Sequence, residues 1–203
     1  MEKQIIRLCG REVERPGHIC AFFSSPEEEY ETLLPYFRDG VDAGEQVLNI
    51  VDDASVDERT ASLQSSGIQV GEDGVTVLGA DETYLASGKF EMEQMAAFVE
   101  QQLADARSRG RRMRTCGTMS WLKKNAPGTD RAIEYEARMN LLVPKFDCTF
   151  MCAYQLDQLS GETVVDILAT HPFVILKGEI RENPFYVPPE RYLADLLRAR
   201  TRH

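Results

Sequence analysis

The sequence predicts an α/β domain built on a mainly parallel sheet that lacks a phosphate-binding loop, and three observations carry that prediction. First, residues 18–53, HICAFFSSPEEEYETLLPYFRDGVDAGEQVLNIVDD, read as strand, tight loop, helix, short loop and strand. Such a unit packs its helix on a parallel sheet with a right-handed crossover. Second, strand-length apolar runs alternate with helical periodicity nearly to the end of the chain. Third, both alternating sets in Cys148–Tyr154 are mostly apolar, as in a central strand covered on both faces. In such a sheet a ligand crevice is expected beside the strand ends.

In chain order, residues 1–16 are polar and charged around Ile5, Ile6 and Leu8 and read as an N-terminal arm or edge strand. Pro16-Gly17 turns the chain into a first core strand ending at Phe23. Ser25 can cap the next helix, Pro26 suits its first position, and Glu28 completes a capping box. Tyr30, Leu33, Leu34, Phe37 and Val41 form its apolar stripe, with Gly40 and Gly44 marking the stop. Val47–Val51 is the second strand. Ser55–Ser65 reads as a short helix with acids in its first turn, and Val75–Leu78 as a strand. Residues 81–90 form a connection, either a surface loop or a lid over the crevice.

Residues 91–109 form a helix with Met95, Phe98, Val99, Leu103 and Ala106 inward; its methionines read as core. Residues 112–117, RMRTCG, form a strand despite two arginines. A helix starts at Thr129 or Asp130 and ends at Pro144. Residues 146–154 are a strand, Ser160 and Thr163 open a helix that His171-Pro172 ends, and Phe173–Leu176 is a further strand. Residues 178–187 return irregularly, and Pro188-Pro189 launches a last helix. No repeat or linker divides the chain, so residues 17–200 are expected to form a single domain.

Composition narrows the function classes. A chain of 203 residues with 43% hydrophobic and 28% charged residues is an ordinary globular sequence that can bury a sizeable core. The formal charge of -10 disfavours a broad nucleic-acid surface. No apolar run spans a bilayer, and residues 1–17 lack a signal peptide's apolar stretch, so a cytoplasmic protein with no membrane partner is expected. Cys9, Cys20, Cys116, Cys148 and Cys152 show no zinc-type spacing, and reduced thiols are expected there.

The chemistry-bearing residues are few. His18 and Cys20 share a strand face with Cβ atoms about 6–7 Å apart, too far for a local nucleophile–base pair. Cys148 and Cys152 share a face but lie roughly 13 Å apart, too far for a disulfide or a shared metal. A buried structural thiol is the plain reading for each, with Cys152 the best functional candidate. His18 can cap structure or recognise a ligand with one donor and one acceptor. At its helix end, His171 is open to a structural or a binding role. Glu134 and Arg138 have the spacing of a surface pair. Glu136 and Asn140 share a face that matters only if it looks into a site. Trp121 is a core residue or a pocket wall, and Asn183 satisfies its own loop or meets a ligand. The turn Ser24-Ser25-Pro26-Glu27-Glu28 stands where nucleotide-binding proteins place a phosphate loop. It has no GxxxxGK[ST] pattern, no lysine, and three consecutive glutamates that oppose an anion. Classical ATP hydrolysis is thereby disfavoured.

Several stretches together resemble the MEDS sensory domain of methanogens, methylotrophs and the dichloromethane-responsive repressor. They are HICAFFSSPEEE at 18–29, AGEQVLNIVDD at 43–53, DETYLASGKF at 81–90, GTMSW at 117–121, EYEARMN at 134–140, CAYQLD at 152–157, HPFVILKG at 171–178 and ENPFYVPPE at 182–190. The resemblance implies a three-layer, RecA/KaiC-like fold without a phosphate loop, and a sensor of hydrocarbon derivatives that works with regulatory modules. It also implies sensory roles for His18, Glu136 and Cys152. Thr118 stands where an acidic residue is expected, which weakens any carry-over of nucleotide or metal chemistry.

The favoured reading is a non-catalytic small-molecule sensory domain with His18, Trp121, Glu136, Cys152 and Asn183 at the ligand. No catalytic residue, metal ligand or cofactor is assigned. A regulatory protein is the expected partner, and a homo-oligomer stays open. The alternatives are a cysteine/histidine-dependent enzyme and a ligand-free regulatory scaffold.

Overall fold

Six short apolar runs, each followed by a turn or a helix, become the parallel strands of one sheet. The computed structural model describes residues 5–14 and 17–200. In chain order the elements are β1 (Ile5–Leu8), β2 (Arg11–Glu14), β3 (His18–Phe23), α1 (Pro26–Asp42), β4 (Gln46–Val51), α2 (Val56–Ser65), β5 (Val75–Gly79) and α3 (Met92–Ser108). There follow β6 (Met113–Thr118), α4 (Ala132–Met139), α5 (Val143–Phe146), β7 (Thr149–Gln155), α6 (Gly161–Thr170), β8 (Phe173–Leu176), β9 (Glu179–Glu182) and α7 (Pro189–Arg200).

The main sheet has seven strands in the order β5-β4-β6-β7-β3-β8-β9. All neighbours are parallel except β8 and β9. From β3 the chain crosses three places to β4, goes outward to β5, and returns to fill the two-strand gap with β6 and β7. The first core strand thus lies between two strands from the C-terminal part of the chain, with Cys20 opposite Cys152 and Ile19 opposite Phe173. That adjacency positions the site.

The pleat sorts each strand into two faces. Ile19, Ala21, Phe23, Val47, Met151 and Ala153 pack with Leu33, Tyr36 and Phe37 of α1 and Leu63 of α2. Cys20, Phe22, Leu48, Ile50, Phe150, Cys152 and Tyr154 pack with α3, α4 and Ile167 of α6. The result is a three-layer α/β fold with a mostly parallel sheet. Residues 149–154 are all buried, as a doubly covered strand requires. Among the described residues no helix is long and apolar enough to cross a membrane.

Local departures have physical reasons. Glu28 accepts from the Ser24 N–H at 2.8 Å, while Ser25 Oγ accepts from the Glu28 N–H at 3.2 Å. The expected capping box is therefore shifted by one residue at its carboxylate arm. Gly40 lies inside α1 and does not stop it; a Cβ there would come within 2.7 Å of the Arg114 side chain. Arg114 is buried yet satisfied: it pairs with Glu45, donates to the Tyr36 carbonyl at 2.8 Å, and lies 4.9 Å from the Tyr36 ring centroid. Pro144 does not end α4, which stops at Met139; it sits in the first turn of α5. The segment expected to be irregular after Gly178 holds β9, which turns back on β8 through Lys177 and Gly178, both at positive φ. Residues 5–14 form a separate two-stranded sheet.

Candidate functional site

Four side chains from four separate segments meet on the α3/α4/α6 face of the sheet. His18 opens β3 and Cys152 lies in the neighbouring β7, where Cys20 is its partner in register. Glu136 comes from α4, an amphipathic helix whose charged side chains would ordinarily point to water; this one is buried. His171 follows α6 and stands one residue, Pro172, before β8, the strand on the other side of β3. All four are buried, and their donor atoms lie within 4.8 Å of one another. Glu136 Oε2 is 3.3 Å from His18 Nε2, 3.5 Å from His171 Nε2 and 3.3 Å from Cys152 Sγ. Cys152 Sγ is 3.5 Å from His18 Nε2, and the two imidazole centroids are 4.0 Å apart.

The outer partners determine where the imidazole protons sit. Asn140 donates through Nδ2 to the Thr170 carbonyl at 2.8 Å, so its Oδ1 is the atom 3.3 Å from His18 Nδ1. His171 Nδ1 is 2.8 Å from the Ile167 carbonyl, which can only accept. An imidazole with a single ring hydrogen therefore carries it on Nδ1 at either position and turns Nε2 toward the centre. Burial and the neighbouring His171 outweigh the pull of Glu136 and hold His18 down at about 4, so it is neutral at pH 7. For Glu136, burial opposes ionisation, and a hydrogen or a positive charge on the facing imidazoles favours it. Burial, followed by the Glu136 charge, pushes the Cys152 thiol well above its ordinary range. The centre brings together a carboxyl group, a thiol and two imidazole nitrogens.

A cavity of about 30 Å³ lies against three of these groups. His18, Glu136 and Cys152 line it with Tyr84, Tyr135, Gly117 and apolar side chains of the sheet and α3. Tyr84 enters because residue 117 is a glycine: a Cβ there would stand 2.3 Å from the Tyr84 hydroxyl. The Tyr84 ring stacks on Trp121 at 4.8 Å between centroids and 14° between planes. Phe90 packs against the same tryptophan at 4.9 Å. Two ends of the 81–90 connection are thus tied to the roof of the cavity through aromatic contacts.

Of the five residues expected at the ligand, the structure brings His18, Glu136 and Cys152 together. Trp121 is fully buried behind Tyr84 and is absent from the cavity wall. Asn183 serves its own junction: Nδ2 donates to the Leu168 and His171 carbonyls at 2.6 and 2.7 Å, and Oδ1 accepts from the Phe185 N–H at 3.1 Å. It holds the backbone that presents His171. The sequence allows His171 a structural or a binding role, and only strand order shows that it returns to His18. The shared face of Glu136 and Asn140 was the usable signal for α4.

The cluster does not sit in the expected crevice beside the strand ends. At those ends lies a separate open cavity of about 730 Å³, lined by Glu27, Glu29, Glu31, Asp52, Glu58 and Arg59 among others. Arg59 is committed to Glu29 at 2.5 Å. Carboxylates dominate this crevice, and the first amides of the adjoining turn are taken by Ser25 and Glu28.

No curated protein matches the chain. The family model described as MEDS, MEthanogen/methylotroph, DcmR Sensory domain, matches residues 17–172, more than half of the chain. All four clustered side chains lie inside that span; Asn183 lies outside it.

Proposed function

The chain belongs to the MEDS sensory-domain family, and from that premise we propose that it is a non-catalytic receptor for a very small molecule, such as a hydrocarbon derivative, that signals to a regulatory protein. The observation that carries this reading is the small cavity lined by His18, Glu136 and Cys152. It combines apolar walls with a few convergent polar groups, as small-molecule sites do. Its volume suits about one or two water-sized groups. A larger ligand must displace Tyr84, and Tyr84 belongs to the 81–90 connection. Ligand binding would then bias that connection and change what the surface shows a partner.

Trp121 is the single tryptophan of the chain and is stacked on Tyr84, so its emission reports on the roof. Titration of the full chain with dichloromethane and short-chain alcohols is expected to shift or quench Trp121 emission saturably. Emission that stays constant, or drifts linearly as solvent effects do, would count against the receptor reading.

The contact of 3.5 Å between Cys152 and His18 favours a second reading, a cysteine-dependent enzyme. The buried thiol beside a carboxylate argues the other way, because a nucleophile needs its thiolate. The receptor reading expects Cys152 to resist iodoacetamide in the folded chain at neutral pH; rapid alkylation there would restore the enzyme. The same proposal treats the Ser24–Glu28 turn as a phosphate cradle closed by its own side chains and the chain as cytoplasmic, where its thiols stay reduced.

A further inference from the structure

We propose that His18, Glu136, Cys152 and His171 bind one divalent transition-metal ion of the zinc class. The inference goes beyond the sensory reading and stands without it.

The geometry is that of a nearly closed coordination shell. Four of the six separations between the donor atoms are 3.3–3.5 Å, and none exceeds 4.8 Å. With metal–ligand bonds of zinc length, the edges of a tetrahedron measure about 3.3–3.8 Å. The donors need only a small inward movement of His171 to complete it. Both imidazoles present Nε2, and each has its Nδ1 hydrogen engaged by an oxygen acceptor, Asn140 for His18 and the Ile167 carbonyl for His171. That outer arrangement orients metal-binding histidines.

The Cys152 thiol has two acceptors in reach, Glu136 Oε2 at 3.3 Å and His18 Nε2 at 3.5 Å. Among the described residues, His171 Nε2 and Glu136 Oε1 have no hydrogen-bond partner. Buried polar atoms without partners are costly, and a cation at the centre gives each of the four donors a bond. Binding breaks the Cys152 S–H bond, forms the sulfur–metal bond and releases one proton to solvent, with no change of oxidation state. Thiolate, carboxylate and a dication then sum to zero charge, the condition that burial favours. The two-nitrogen, one-sulfur, one-oxygen set excludes calcium and magnesium, which take all-oxygen shells. It fits zinc, with cobalt as a spectroscopic substitute.

The test uses the full chain purified natively from cells grown in cobalt-supplemented or zinc-supplemented medium, without a histidine tag. The expected result is one ion per chain by mass spectrometry. The cobalt form should show intense visible bands of four-coordinate cobalt and a near-ultraviolet thiolate-to-cobalt band. Cys152→Ser should lose the thiolate band, whereas Cys20→Ser, which alters a buried thiol outside the quartet, should keep it. X-ray absorption on the wild-type zinc form needs no variant and should show one sulfur at about 2.3 Å with imidazole nitrogens at about 2.0–2.1 Å. A chain that is folded but holds far less than one ion would overturn the inference. So would a shell without sulfur, or a thiolate band that survives Cys152→Ser. A metal-filled chain whose Trp121 ignores every probe would sink the sensory reading and leave this one standing; an empty chain that responds would do the reverse.

Discussion

At the scale of the residue, the site depends on side chains that touch nothing but other side chains and backbone. Asn140 is the clearest case, since its amide joins His18 to the Thr170 carbonyl next to His171. Asn140→Ala leaves the His18 Nδ1 hydrogen and a buried carbonyl unmet. The expected cost is about 1–3 kcal/mol in urea unfolding, accompanied by weaker ligand responses; an unchanged midpoint would show that His18 is held by other means. Gly117 makes a second prediction. A methyl group there collides with the Tyr84 hydroxyl, so Gly117→Ala should move Tyr84, alter Trp121 emission and cost about 1–3 kcal/mol through overpacking. Of these residues, His18, Glu136 and Cys152 were legible as candidates because their chemistry is uncommon in an apolar setting. Trp121 and Asn183 drew attention for the same reason, yet their partners are an aromatic stack and a loop backbone. Residue type shows what a side chain can do, whereas its neighbours are settled by packing.

At the scale of the element, α4 carries two buried carboxylates, Glu136 in the cluster and Glu134 among arginines. The sequence pairs Glu134 with Arg138, and that contact is present at 2.7 Å. Arg131 at 3.2 Å and Arg200 of α7 at 2.8 Å join it, so the carboxylate also fastens the last helix. Burial opposes ionisation of Glu134, but Arg131, Arg200 and Arg138 outweigh it and hold the group at about 2. A carboxyl that is more acidic folded than unfolded stabilises the fold above its ordinary range of about 4.3. That contribution is lost as pH falls toward about 2. Glu134→Gln should therefore flatten the acid limb of the stability–pH curve in that window and loosen α7 in hydrogen exchange. A limb of unchanged steepness would place the acid sensitivity elsewhere. Most elements were legible from caps and periodicity, as the Ser25 and Ser160 starts show. β9 was not, because Glu179-Ile180-Arg181-Glu182 has one apolar residue and becomes a strand only by pairing with the edge of β8.

At the scale of the whole molecule, strand order does what local sequence could not announce. The return of β7 and β8 to either side of β3 brings residues 18, 136, 152 and 171 into one buried cluster. Spacing rules look for ligands a few residues apart, and here the intervals exceed a hundred residues from the first to the second. The expectation of a mainly parallel α/β sheet was legible. The expected crevice at the strand ends exists, but carboxylates line it and the histidines lie elsewhere. Calorimetry with ATP and GTP is accordingly expected to show no binding heat; micromolar affinity for either would reinstate a nucleotide site. The proposed function requires that this chain sense through the buried cluster on the sheet face and not through the open crevice. Hydrogen exchange of the full chain, with and without saturating dichloromethane, tests it most directly. Slowed exchange in residues 80–90 and around Glu136 and Cys152, with residues 24–31 and 52–62 unchanged, is the predicted result. Protection confined to residues 24–31 and 52–62 would contradict it.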